Sequence, residues 1–171
     1  MAAERESDEI CDLKTNAENG DAGARWQLIL RSCNYVPHDY VEAAQMLLVN
    51  AQQGDGESAD LLGQLYRSGE GVPKNYIESV RWLKKAVEMG NIYAQYHLAQ
   101  RYEGGEGVPL NFAEAYFWYV TSAALQFNNG FRQLTMKRRD QIEKKLSPDE
   151  ISEVQSRSKK WVDEILKTRG N

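Results

Sequence analysis

The sequence predicts an all-α protein built as a stack of helix-turn-helix units, an α-solenoid closed by helical caps. Three observations carry this. The stretch Gly69-Glu70-Gly71-Val72-Pro73-Lys74-Asn75-Tyr76-Ile77-Glu78 returns as Gly105-Glu106-Gly107-Val108-Pro109-Leu110-Asn111-Phe112-Ala113-Glu114, from position 69 to position 105, a spacing of 36 residues. A fixed period of that length marks stacked units rather than one closed domain. Each copy also joins a helix stop to a helix start, and small and apolar residues flank it at helical spacing.

The repeated stretch explains itself locally. Its glycines suit a helix C-terminus that turns through left-handed backbone values. Pro73 and Pro109 then block continuation of that helix and push Val72 and Val108 towards extended geometry. Asn75 and Asn111 stand where an N-cap belongs, each with Glu three residues later, which predicts a variant capping box worth about 1 kcal/mol. A worn copy without the glycines, Val36-Pro37-His38-Asp39-Tyr40-Val41-Glu42, places Asp39 at the same cap. A phosphate loop is excluded, because the Gly-Lys-Ser/Thr ending and the preceding strand are both missing.

Composition sets the remaining bounds. With 171 residues, net charge -4 and ordinary apolar content, the chain is long enough for one continuous core. No segment reaches the roughly 18 apolar residues that span a membrane, so no membrane insertion is expected. The start, Met1-Ala2-Ala3-Glu4-Arg5-Glu6, is acidic and lacks the pattern of a secretory signal. Cys11 and Cys33 form no metal-spaced pair, and these features together predict a cytoplasmic protein. Residues 1–21 carry seven acids and two bases, residues 132–171 eleven bases and seven acids. The basic run Lys137-Arg138-Arg139 has acidic neighbours and no interleaved aromatics, so it reads as a solvated helix face and no nucleic-acid partner is expected.

In chain order, residues 1–19 form an acidic tail and a capping helix, with residues 1–7 disordered and Ile10, Leu13 and Ala17 sharing one helix face over about 8–18. Repeat one (20–53) is divergent; repeats two (54–89) and three (90–126) are regular. First helices carry Ser58, Leu62, Gly63 and Tyr66 in repeat two, and Ala94, Leu98, Ala99 and Tyr102 in repeat three. A small residue at Gly63 or Ala99 allows close helix approach, and Trp82, Trp118 or Met46 fills the space beside it. The second helix of repeat three, with Ala113, Tyr116, Phe117, Trp118, Tyr119 and Val120, is apolar all round and must be covered all round. The cover is residues 127–171, a C-terminal cap: a helical stretch over about 130–146, then Ser147-Pro148-Asp149-Glu150 as a capping box that opens a last amphipathic helix.

These residues resemble the Sel-1-like repeat, a relative of the tetratricopeptide repeat. The resemblance is carried by Gly54-Asp55, Ser58-Ala59, Leu61-Leu62-Gly63 and Leu65-Tyr66, by the Gly-x-Gly-Val-Pro turns, and by Trp82-Leu83-Lys84-Lys85-Ala86. It is specific over about 54–126. It implies a right-handed α-solenoid whose first helices line a concave face, and a protein that binds other proteins. Family geometry points Trp26, Gln27 and Leu30 of repeat one into that groove, with Asp60, Gln64 and Arg67 of repeat two and Tyr93, Tyr96, His97, Gln100 and Glu103 of repeat three. Asp60 departs from the aromatic preference that Tyr96 keeps at the equivalent place. A mixed polar and aromatic groove suits a protein interface.

Three functions follow, in order. The first is an interaction module that binds a protein partner through the concave face. A narrower form is a bacterial immunity protein that neutralises a toxin or effector by direct binding. The last is self-assembly, with exposed aromatics forming a homodimer. No enzyme, cofactor or metal is expected: His38 and His97 stand in different units, and no His-Glu-x-x-His or Gly-x-Ser-x-Gly occurs. Ser156-Arg157-Ser158-Lys159 matches Ser-x-x-Lys by chance, without the companion motifs and on an amphipathic helix.

Overall fold

The computed structural model describes residues 40–126 and 128–169. Among these are seven helices and no strand: α1 (Tyr40–Gln52), α2 (Gly56–Ser68), α3 (Tyr76–Glu88), α4 (Ile92–Gly104), α5 (Phe112–Leu125), α6 (Asn129–Glu143) and α7 (Pro148–Arg169). The capping helix expected over 8–18, the first helix of repeat one, the Asp39 cap, Cys11, Cys33 and His38 lie outside the described residues.

Each regular unit is a helical hairpin, α2 with α3 and α4 with α5. The turns behave as their residues dictate. Gly69 and Gly105 end α2 and α4 in the left-handed region, at φ 83° and 66°, and their N–H groups donate to Leu65 and Arg101 carbonyls. The chain then crosses back, fastened by Asn75 N–H donating to the Tyr66 carbonyl at 2.7 Å and Asn111 N–H to that of Tyr102 at 2.9 Å. Asn75 caps α3 by accepting from the Ile77 and Glu78 N–H groups, and Asn111 caps α5 by accepting from Glu114.

The capping-box expectation needs a correction at these two turns. Glu78 does not reach back; it pairs forward with Arg81 at 2.6 Å, and Glu114 pairs with Arg157 of α7 at 2.8 Å. A guanidinium offers the carboxylate a charged partner, which the cap N–H does not. At α7 the box does close: Ser147 N–H and hydroxyl both donate to Glu150 at 2.8 Å, and Glu150 N–H donates back to Ser147 Oγ at 3.3 Å.

Two close approaches hold the stack, one within a unit and one between units. The first is the small position: a Cβ on Gly63 would stand 3.0 Å from Leu83 Cγ and 3.2 Å from the Ser79 carbonyl, so α2 and α3 lie as close as the absent side chain allows. The second was not expected from the sequence. A Cβ on Gly71 would stand 2.0 Å from the Tyr40 carbonyl oxygen, and one on Gly107 would stand 2.1 Å from that of Tyr76. Each inter-helix turn thus rests on the first backbone turn of the preceding unit's second helix. Both glycines also hold positive φ, 70° and 77°, so the second glycine of Gly-x-Gly-Val-Pro is demanded twice over.

The core runs the length of the stack. Ala43, Ala44, Leu47, Leu61, Leu62, Leu65, Trp82, Leu83 and Leu98 fill its first part, each large side chain contributing roughly 1.5–3 kcal/mol on burial. Trp82 is buried beneath Lys85, whose ammonium stands 4.5 Å over the ring. Met46, at the equivalent place in α1, is only half-buried. The second part gathers around α5, which α4, α6 and α7 cover as its all-round apolarity requires. Phe131 of α6 is buried between Tyr93 and Tyr96 of α4, with centroids 4.9 and 5.0 Å away. Trp161 of α7 meets Trp118 and Phe117 at 5.8 and 6.2 Å. So α6 lies beside α4, and α7 lies on α5. Among the described residues no helix is long and apolar enough to cross a membrane.

Candidate functional site

The first helices α2 and α4, continued by α6, carry the residues that the sequence placed in a groove. The structure sorts them into three groups. Trp26, Gln27 and Leu30 lie outside the described residues.

Asp60, Tyr96 and His97 do not stand on an open surface. Their exposures are 0 %, 5 % and 3 %. Asp60 Oδ1 accepts from His97 Nδ1 at 2.7 Å, so the aspartate that replaces the aromatic of the next repeat is the partner of a histidine one unit on. Buried polar groups need such partners. The carboxylate fixes the proton on Nδ1 and orients the ring. No third metal-ligating side chain joins the two among the described residues. Tyr96 is covered because Phe131 and Tyr119 close over it. Burial pushes its hydroxyl pKa up, against the lowering influence of Arg138.

The remaining residues reach solvent. Arg67 is exposed, Gln64, Tyr93 and Gln100 are half-buried, and Glu103 keeps part of its carboxylate open. Arg67 Nε donates to Glu106 Oε2 at 3.1 Å, and the same oxygen lies 2.9 Å from Arg101 Nη1. Glu103 accepts from the Tyr119 hydroxyl at 2.6 Å and pairs with Arg138 of α6 at 3.5 Å. A strip of three arginines and two glutamates therefore crosses α2, α4 and α6, with Tyr119 of α5 beneath it.

Three members of that strip, Arg101, Glu106 and Arg138, and Tyr119 beneath it were not among the site residues expected from the sequence. A signal for two of them was available. Thirty-six positions back, Arg101 corresponds to Leu65 and Tyr119 to Leu83, so polar groups stand where the preceding repeat buries leucine. Their environment shows the consequence. Burial, then the like charge of Arg67, lower the Arg101 pKa to about 10, and Glu106 only partly offsets this. Burial raises the Tyr119 pKa strongly, with Glu103 adding to the effect. Arg138 is held above its ordinary value: desolvation opposes the charge, but Glu103 and the two tyrosine hydroxyls outweigh it. In the basic run, Arg138 pairs with Glu103 and Arg139 with Asp140.

The fold defines a class, the helical-repeat solenoid. Two Sel1 repeats match, at residues 56–91 and 92–127. A Sel1 repeat protein from Oxalobacter formigenes is similar at 33 % identity and TM-score 0.55, over 77 % of this chain and 96 % of that one. A protective antigen of uropathogenic Escherichia coli strains, c5321, which displays an SLR fold, is similar at 25 % identity and TM-score 0.70. That likeness covers 90 % of this chain and 32 % of the antigen, so the chain spans about a third of its length. No curated protein matches the sequence significantly. The chain belongs to the Sel1-repeat family, and its architecture is an all-α repeat solenoid. Sel1 repeats generally mediate protein–protein interaction, and proteins of this repeat class are typically non-enzymatic scaffolds.

Proposed function

We propose that this chain is an interaction module that binds a protein partner through the face formed by α2, α4 and α6, the concave face in the geometry of such repeats. The observation that carries the reading is the charged strip, drawn from three alternate helices and held by Arg67–Glu106 and Glu103–Arg138 contacts. Arg and Tyr are over-represented at binding hot spots, and a strip tied across units presents them in fixed register.

The test is capture of the partner by the tagged chain, followed by affinity measurement with Arg67→Glu and Gln100→Ala. Ile77→Ser, which alters an exposed residue at the start of α3, serves as the control. The reading expects the first two to weaken binding and the third to leave it unchanged. The reverse pattern moves the interface to the turn edge and defeats the proposal. A partner that proves to be an enzyme inhibited by this chain supports the narrower immunity form. Concentration-dependent dimerisation abolished by the same variants supports self-assembly instead.

A further inference from the structure

The geometry points to Arg67 and Arg101 as a receptor for an acidic side chain of the partner, an assignment that rests on the protein-binding reading and deepens it. A guanidinium presents its N–H donors as a fork that matches both oxygens of a carboxylate. Here two guanidiniums converge on one oxygen, Glu106 Oε2, at 3.1 and 2.9 Å. Arg101 is 1 % exposed, and among the described residues its Nε and Nη1 make no aligned hydrogen bond. A buried charge is costly unless it is both paired and hydrogen-bonded, and this one is only half provided for. The depressed Arg101 pKa points the same way.

Packing does not demand an arginine there. The preceding repeat buries Leu65 at the equivalent position. Nor is the charge balanced within the strip: Arg67, Arg101 and Arg138 face Glu103 and Glu106, an excess of one positive charge. A single carboxylate restores balance. A phosphate dianion overshoots it and meets two carboxylates already in place. Arg67, with its side chain 48 % exposed, is the entry.

The probe is a capped tetraglutamate peptide, with tetraglutamine and inorganic phosphate as controls, followed on the full chain through the arginine Nε–Hε NMR signals. Tetraglutamate is expected to move the Arg67 and Arg101 signals saturably, and the controls to leave them in place. Arg67→Gln should weaken the peptide at least about tenfold, as loss of a charged hydrogen bond does. Arg101→Leu should weaken it similarly while the melting temperature holds or rises. Equal response to tetraglutamine, displacement by phosphate, or unchanged affinity in Arg67→Gln overturns the assignment. Should Arg101→Leu fail to fold, Arg67→Gln, an exposed substitution, decides alone. A partner that binds this face and ignores Arg67→Gln refutes the receptor and leaves the module; peptide binding at Arg67 with a partner bound elsewhere refutes the proposed interface by itself.

Discussion

Asp60 Oδ1 and His97 Nδ1 meet at 2.7 Å between α2 and α4, and both side chains are buried. The contact fastens one repeat to the next through a polar bond that no solvent reaches. Replacing either partner leaves the other without it in a dry site, at a cost of about 1–3 kcal/mol. Asp60→Ala and His97→Ala should each lower stability in urea unfolding, and the double variant should lose less than the sum. A coupling of roughly 0.5–3 kcal/mol is expected; strictly additive losses would show that the bond contributes nothing. For the same reason Asp60→Lys would report on folding rather than on binding.

The turn glycines separate conformational cost from contact cost. Gly54 has φ 96° and, among the described residues, nothing within 4 Å of where a Cβ would stand, whereas Gly107 has φ 77° and the Tyr76 carbonyl at 2.1 Å. Gly54→Ala should cost about 1–2 kcal/mol, the price of a left-handed L-residue. Gly107→Ala should cost roughly 1–3 kcal/mol more, since backbone must move apart. Comparable losses in chemical denaturation would refute the stacking role given to the second glycine.

Tyr119 gives stability a pH signature. Burial, then Glu103, raise its folded pKa above 10.0, the ordinary value. Its contribution is therefore complete below the unfolded pKa and is lost as pH climbs from there towards the folded one, because only the unfolded chain ionises. Between about pH 10 and 11 the wild type should lose stability faster than Tyr119→Phe. The variant should start lower at pH 7, by about 1–2 kcal/mol for the lost hydroxyl bond. The difference between the two curves removes the opposite drift from Arg101. Parallel curves would contradict the assignment.

At the start of α7, Ser147 holds the Glu150 pKa down through its N–H and its hydroxyl. The stability this supplies is present above the unfolded carboxyl pKa and is lost as pH falls through the folded one. Ser147→Ala should move the Glu150 carboxyl titration, followed by NMR, up towards its ordinary value. An unmoved titration would mean that the Ser147 hydroxyl, as distinct from its N–H, does not act on Glu150.

How far the sequence could be read depended on whether the cause was local. The Asn75 and Asn111 caps, the Gly69 and Gly105 helix stops and the Ser147–Glu150 box depend on a few neighbouring residues, and all were legible. So was the need to cover α5, because apolarity on every side admits one explanation. The groove residues were harder. Whether Asp60, Tyr96 or His97 sees water depends on what the next unit brings, and Phe131 lies 35 positions beyond Tyr96. Glu78 and Glu114 were misassigned for a related reason, since Arg81 and Arg157 compete for them. Arg101 carried its own signal, a charge at a position where the preceding repeat buries leucine.

The most direct test of the account is hydrogen–deuterium exchange on the full chain with and without its captured partner. Added protection is expected at the solvent-facing ends of α2 and α4 around Arg67, Gln100 and Glu103, and at Arg138 on α6. Protection that falls instead on Val41, Ile77 and Leu110 at the turn edge, or on the outer half of α7, would contradict it.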